Sequence, residues 1–129
     1  MKTIYYAIFM LTVLNLTACI ENDTQPPQVI QTTPKNGSTD VDPSLTKISV
    51  TFNESMKDGN WSWAYTTKNQ FPEMTGQPTY SNNFTKNTLP VKLEANKTYE
   101  IWINSQTQTN FKDQAGNTAI PFKWVFKTK

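Results

Sequence analysis

Short stretches in which apolar and polar side chains alternate are the feature that most constrains the fold of this chain. In residues 93–104, Tyr99, Ile101 and Ile103 fall on one face, whereas Trp102 falls on the other. A period of two belongs to a β-strand with one buried face. The polar segment 94–97 just before it has the composition of a turn. This stretch therefore predicts a half-buried strand that is entered through a turn.

The same alternation recurs along the chain, with turn residues between the stretches and no convincing helical period. Residues 66–83 predict either a long loop or one or two short edge strands, and Pro90 predicts an edge position or a bulge for its strand. The clearest strands are predicted at 28–33, 48–52, 61–65, 89–93, 99–103 and 120–126. About seven short strands indicate an all-β sandwich, with a small barrel as the alternative.

Two aromatic residues favour an immunoglobulin-like β-sandwich within this class. Tyr99 opens its strand just past a polar turn, which is the position of a tyrosine corner, and we expect its hydroxyl to donate to the backbone of that turn. Trp61, Trp63 and Tyr65 share one face of an earlier strand. A thin core rarely holds three such rings from one strand, so we expect Trp63 to be buried and Trp61 or Tyr65 to lie at a rim.

Composition excludes several classes of function. The 129 residues suffice for one domain, and 12 basic residues nearly balance 10 acidic ones. All the basic residues are lysines, so nothing indicates the clustered arginine-containing surface of a nucleic-acid-binding protein. Histidine, the commonest general base and metal ligand, is absent. The carboxylates show no spacing that forces two together, so we predict a non-catalytic protein without a cofactor.

Two acidic segments could offer oxygen ligands to calcium. They are residues 58–60 and residues 113–117, and neither has the ligand spacing of an EF-hand. Tight turns explain both segments equally well, because Asp, Asn and Gly are the residues that such turns favour. We therefore predict no metal site.

The N-terminus reads as an export and anchoring signal. Residues 4–16 form an apolar run after a short positive start, too short to cross a bilayer comfortably. The run ends in LTAC at residues 16–19, which resembles the lipobox of bacterial lipoproteins, and Cys19 is the only cysteine of the chain. We predict a signal peptide over 1–18, lipid attachment at Cys19, a tether over 19–27 and a domain over 28–129. The acidic residues of the tether fit either a surface-export signal or a solvated linker.

The order of motifs in the domain resembles the bacterial Ig-like domain family of S-layer and other cell-envelope proteins. The segments that match the family are PKNGSTDV at 34–41, VTFNESM at 50–56, LEANKTY at 93–99, DQAGN at 113–117 and FKT at 126–128. Three further segments resemble a subgroup of this family: WSW at 61–63, FPEMTG at 71–76 and NFKD at 110–113. This resemblance implies an Ig-like sandwich and a place in the cell envelope. The lipid anchor and the acidic residues after it predict the outer membrane or cell surface if the bacterium is Gram-negative. The resemblance implies no activity.

One tryptophan is the candidate contact for a partner. Trp102 lies on the opposite face of its strand from Tyr99 and Ile101, so it should point outward. The last strand should present Val125 on the same outer face. The two residues predict a patch for a protein or glycan partner, unless lysine stems or a loop cover the indole. The sequence thus predicts a lipid-anchored module for binding or adhesion, or else a structural spacer, an accessory subunit or an enzyme inhibitor.

Overall fold

A computed structural model describes residues 22–129 of the chain. The predicted signal peptide and Cys19 lie outside the described residues. Within this range, the one helical element is a short 3₁₀ turn, Lys68–Gln70, and no helix has the length and hydrophobicity needed to cross a membrane. The strands, in chain order, are β1 Val29–Thr33, β2 Lys47–Phe52, β3 Trp63–Ala64, β4 Glu73–Met74, β5 Thr79–Ser81, β6 Lys86–Lys92, β7 Thr98–Ile103 and β8 Phe122–Lys127.

The strands form two antiparallel sheets that enclose one core. Five strands make the first sheet, in the order β1, β2, β6, β4, with β5 also paired to β6. The second sheet contains β3, β7 and β8, in that order. The prediction of an all-β sandwich is confirmed. Its eight strands exceed the predicted seven because β4 and β5, both very short, lie within residues 66–83.

The core is formed by the inward faces of both sheets. In β7, Tyr99, Ile101 and Ile103 are all buried, so the predicted register of this strand is confirmed. Trp63 is buried as well, whereas the side chain of Tyr65 is 48% exposed, as expected for a rim position. The largest buried side chains from the rest of the chain are Trp124, Phe52, Phe111, Phe126, Ile48, Met56 and Leu89.

The predicted edge position of the strand around Pro90 is wrong. Strand β6 lies inside its sheet, with β2 on one side and both β5 and β4 on the other. On that second side, β5 pairs as far as Thr88 and β4 starts to pair at Val91. Pro90 lies in the gap between these two partners, where its missing N–H interrupts no ladder. Two short partner strands thus make an internal proline acceptable.

The predicted tether contacts the domain at Asp23 and Pro27, while the residues between them are exposed. Pro27 is buried, and its carbonyl oxygen accepts the N–H of Ile120 at 3.0 Å. The carbonyl oxygen of Asp23 accepts the side-chain amide of Asn117 at 2.9 Å. These contacts fix the N-terminal end of the described chain beside the loop that precedes β8.

The tyrosine corner is present, but its hydrogen bond runs in the direction opposite to the predicted one. The backbone N–H of Glu94 donates to the hydroxyl oxygen of Tyr99 at 2.8 Å. The hydroxyl of Thr128 donates to the carbonyl oxygen of Glu94 at 2.6 Å. The turn before β7 is thereby fixed both to β7 and to the residue that follows β8.

Tyr99→Phe should lower the free energy of unfolding by about 1 kcal/mol, because the N–H of Glu94 loses its partner in a partly buried turn. Denaturant titration should show a lower midpoint and an unchanged slope. Tyr65→Phe is the matched control, since the side chain of Tyr65 is 48% exposed. Equal midpoints for Tyr99→Phe and the parent would show that this bond contributes nothing to stability.

Candidate functional site

The outer face of the three-stranded sheet carries Trp102. Its Cα lies opposite Ala64 of β3 and Lys123 of β8, so the side chain projects away from the core, as its phase in the sequence predicts. The residue is partly buried rather than bare. Ala64 is itself only 2% exposed, so larger neighbours cover its part of the outer face.

Val125 lies on the same outer face, but an ion pair separates it from Trp102. Val125 is partly buried and lies opposite Glu100. The ammonium group of Lys123 approaches the carboxylate of Glu100 at 3.7 Å, across the diagonal between Val125 and Trp102. The two predicted contact residues therefore share a face without forming a continuous apolar patch. Their role in binding a partner stays a prediction.

Trp102 instead borders a groove at the end of the sheet where β7 finishes. The groove has a volume of about 470 Å³. Its walls combine two aromatic rings with hydroxyl and amide groups, from Tyr65, Thr66, Trp102, Ser105, Gln106, Thr107 and Pro121. The sequence did not indicate most of these residues, because the loop that supplies Ser105, Gln106 and Thr107 has a polar composition and no further pattern.

The indole nitrogen of Trp102 is an unusual feature of this groove. Nε1 is buried and has no hydrogen-bond partner within residues 22–129. An unpaired buried donor costs about 1 to 3 kcal/mol. By contrast, the indole nitrogens of Trp63 and Trp124 donate to Asn87 Oδ1 at 2.9 Å and to the Pro34 carbonyl oxygen at 3.0 Å.

Asn104 fixes the direction in which the chain leaves Trp102. Its backbone has a φ of +56°, a conformation that asparagine tolerates better than most residues. Its side-chain amide donates to the carbonyl oxygens of Phe111 and Ala119, each at 3.0 Å, and its Oδ1 accepts the N–H of Phe111 at 2.9 Å. The fully buried side chain thus ties two points of the connection between β7 and β8 to the end of β7.

A second cluster of polar groups lies where the N-terminal segment meets the domain. Carboxylate oxygens of Asp23, Glu54 and Asp113 all lie within 4.8 Å of one another. Three ionised carboxylates so close together repel one another strongly. A proton or a cation relieves this repulsion, and calcium prefers such oxygen ligands. Sequence spacing gave no sign of this cluster, because its members come from three distant segments.

Glu54 is the carboxyl of this cluster that binds a proton most readily. Its hydrogen bond with Asp113, burial and the negative charges of Asp113 and Asp23 together raise the pKa of Glu54 to about 7. Burial of Asp113 acts to raise the pKa of that carboxyl, but hydrogen bonds from Glu54 and Asn117 outweigh it and keep the pKa below its ordinary value. Asp113 also closes the turn 113–117, because its Oδ1 accepts the N–H of Asn117 at 2.8 Å.

This cluster predicts how stability changes with pH. Because Glu54 binds its proton more tightly in the folded state, its contribution is complete below pH 4.5 and is lost as the pH rises through about 7. After allowance for partial exposure, we expect a loss of about 1 to 2 kcal/mol between pH 4.5 and pH 8. Glu54→Gln should remove this loss, because the amide stays neutral throughout.

Urea titrations at several pH values measure this difference, with the exposed Glu73→Gln as the matched control. The same pH profile for Glu54→Gln and the parent would show that Glu54 does not hold the proton.

The chain was compared with known families, curated proteins and solved structures. Residues 23–128 match the family described as bacterial Ig-like domain. No curated protein matches the chain.

Two solved S-layer structures are similar to it. Domains 1–6 of the surface layer protein SbsC are 17% identical over 82% of this chain, with a TM-score of 0.49. The S-layer protein rSbsC(31-844) is 18% identical over 81% of this chain, with a TM-score of 0.48. This chain covers 14% of each S-layer chain. The family match spans most of the chain and both of its sheets, and it shows that the protein belongs to the bacterial Ig-like domain family.

Proposed function

We propose that this protein is a lipid-anchored, non-catalytic binding module of the cell envelope, which contacts its partner through the groove beside Trp102. Membership of the bacterial Ig-like domain family supports an envelope module. The resemblance of residues 16–19 to a lipobox supports an anchor at Cys19, where acyl chains would hold the protein in a membrane.

The observation that carries this proposal is that Trp102 lies on the outer face of β7 and borders a groove. The inward residues of β7 complete the core without it, so the sandwich does not need a tryptophan at this position. A tryptophan on the outer face costs the fold one unpaired buried indole N–H, and its ring borders the groove. Tryptophan is also among the residues that contribute most to binding where proteins meet their partners. Trp102 is therefore best explained by a contact outside the domain.

The groove has the chemistry of a contact surface. Tyr65 and Trp102 provide apolar ring surface, while Thr66, Ser105 and Gln106 place hydroxyl and amide groups around it. Rings surrounded by adaptable hydrogen-bonding groups recur in binding surfaces, because rings lose little conformational entropy on binding. The acidic cluster lies elsewhere, at the junction with the N-terminal segment, and none of its carboxylates lines the groove. This separation agrees with binding rather than catalysis.

Trp102→Ala should weaken retention on isolated cell envelopes by at least about 1 kcal/mol, which is about a fivefold loss of affinity. The free energy of unfolding should change by less than about 1 kcal/mol, because loss of apolar contact is offset by loss of the unpaired donor. Sedimentation with envelopes measures retention, with every variant made in the Cys19→Ser background so that acyl chains do not hold the protein in the membrane. Detergent phase partition of the parent and of Cys19→Ser checks the anchor separately.

Ile30→Ala is the control variant, because Ile30 is 65% exposed on the other sheet and should not affect retention. Retention that is equal for the parent and Trp102→Ala, or reduced equally by Ile30→Ala, would contradict the proposed site. If Trp102→Ala unfolds the domain, the residue serves the fold rather than a partner. If no variant affects retention and the parent is not retained, the protein is better described as a spacer.

A further inference from the structure

A second groove shares one wall residue, Tyr65, with the first one. It has a volume of about 620 Å³ and runs between β3, at the edge of one sheet, and β4, at the edge of the other. Tyr65 lines both grooves. A molecule that contacts Trp102 can therefore extend past Tyr65 into this second groove.

Aromatic surface follows the same path. The ring of Tyr65 is close to half exposed, and its centroid lies 5.5 Å from that of Phe71, with the planes at 49°. Met74, which is 45% exposed, adds apolar surface to the second groove. Trp102, Tyr65 and Phe71 thus supply three aromatic side chains to the linings of the two grooves, with Tyr65 in both linings. We call these three side chains the aromatic track.

Unpaired ammonium groups flank the second groove. Glu94 and Lys97 form an ion pair at 2.7 Å and neutralise each other. Lys68 and Lys92 also line the groove, and within the described part of the chain neither has a carboxylate oxygen within 4.0 Å. Glu73 is the remaining charged group of the lining. Lys92 lies opposite Glu73 in the pairing of β6 with β4, so Lys68 is the cation of the lining that no facing carboxylate offsets. This excess of one positive charge favours a negatively charged occupant.

We propose that the two grooves form one site for an acidic polysaccharide chain. The apolar faces of the sugar rings would stack on the aromatic track, and carboxylates of the sugars would pair with Lys68 and Lys92. The aromatic track suits a chain of repeating sugars, because successive sugar rings can each stack on one of its aromatic side chains. This inference rests on the proposed function, since it names the class of partner for the same site.

Polygalacturonate is a suitable probe, and its methyl ester has the same backbone without the charges. The detergent-solubilised mature protein should bind polygalacturonate at least fivefold more tightly than the ester, and added salt should weaken this binding. The double variant Lys68→Gln and Lys92→Gln should lose at least fivefold in affinity for polygalacturonate and little for the ester. Tyr65→Ala should weaken binding of both polymers. Isothermal titration calorimetry measures each affinity.

Lys35→Gln is the matched control, because Lys35 lines a different groove, beside β1. Equal affinity for the two polymers, or equal losses in the control and the double variant, would overturn the acidic polysaccharide as the occupant. If polygalacturonate does not bind but retention on envelopes still depends on Trp102, this inference fails and the proposed function stands. If neither is observed, both fail.

Discussion

The arrangement of the candidate site depends on one buried amide. Asn104 uses both of its side-chain donors and its acceptor to hold Phe111 and Ala119, and Phe111 packs into the core with its centroid 5.1 Å from that of Phe52. Loss of that amide would leave the N–H of Phe111 and the carbonyl oxygen of Ala119 without partners, each at a cost of about 1 to 3 kcal/mol. The carbonyl oxygen of Phe111 would keep the N–H of Ala119 as its donor. By bonding to Phe111, the side chain of Asn104 also closes the segment 105–110. Residues 105–107 of this segment form a wall of the groove beside Trp102. Core stability and the shape of the surface are thus linked through a single residue.

In this sandwich, the inward side chains of a strand stabilise the core, and its outward side chains can contact a partner. Successive residues of a strand point to opposite faces, so β7 can fill the core with Tyr99 and Ile101 and still present Trp102 to the exterior. Pairing with β8 adds the ion pair of Lys123 and Glu100 beside the tryptophan. Changes on the outer face can therefore alter binding without altering the fold, which is the usual basis for diverse functions on one sandwich.

The sequence predicted those features that depend on local periodicity. The phase of Trp102 follows from alternation alone, and the tyrosine corner follows from a turn, a tyrosine and a strand in succession. The internal position of Pro90 could not be predicted, because it depends on two partner strands of only two and three residues. The acidic cluster and the aromatic track were also not foreseen. Each joins segments distant in sequence, and only tertiary packing brings Tyr65 near Trp102 or Glu54 near Asp113.

The central claim is that a partner contacts the groove beside Trp102, and site-specific photocrosslinking in intact cells tests it most directly. A benzophenone amino acid inserted at Gln106, an exposed residue of the groove wall, can react with C–H bonds of either a protein or a glycan. The same amino acid at Ile30, on the opposite sheet, reports random encounters. The account predicts a crosslinked product of higher mass from Gln106 and none from Ile30. Equal products at both positions, or a product only from Ile30, would contradict it.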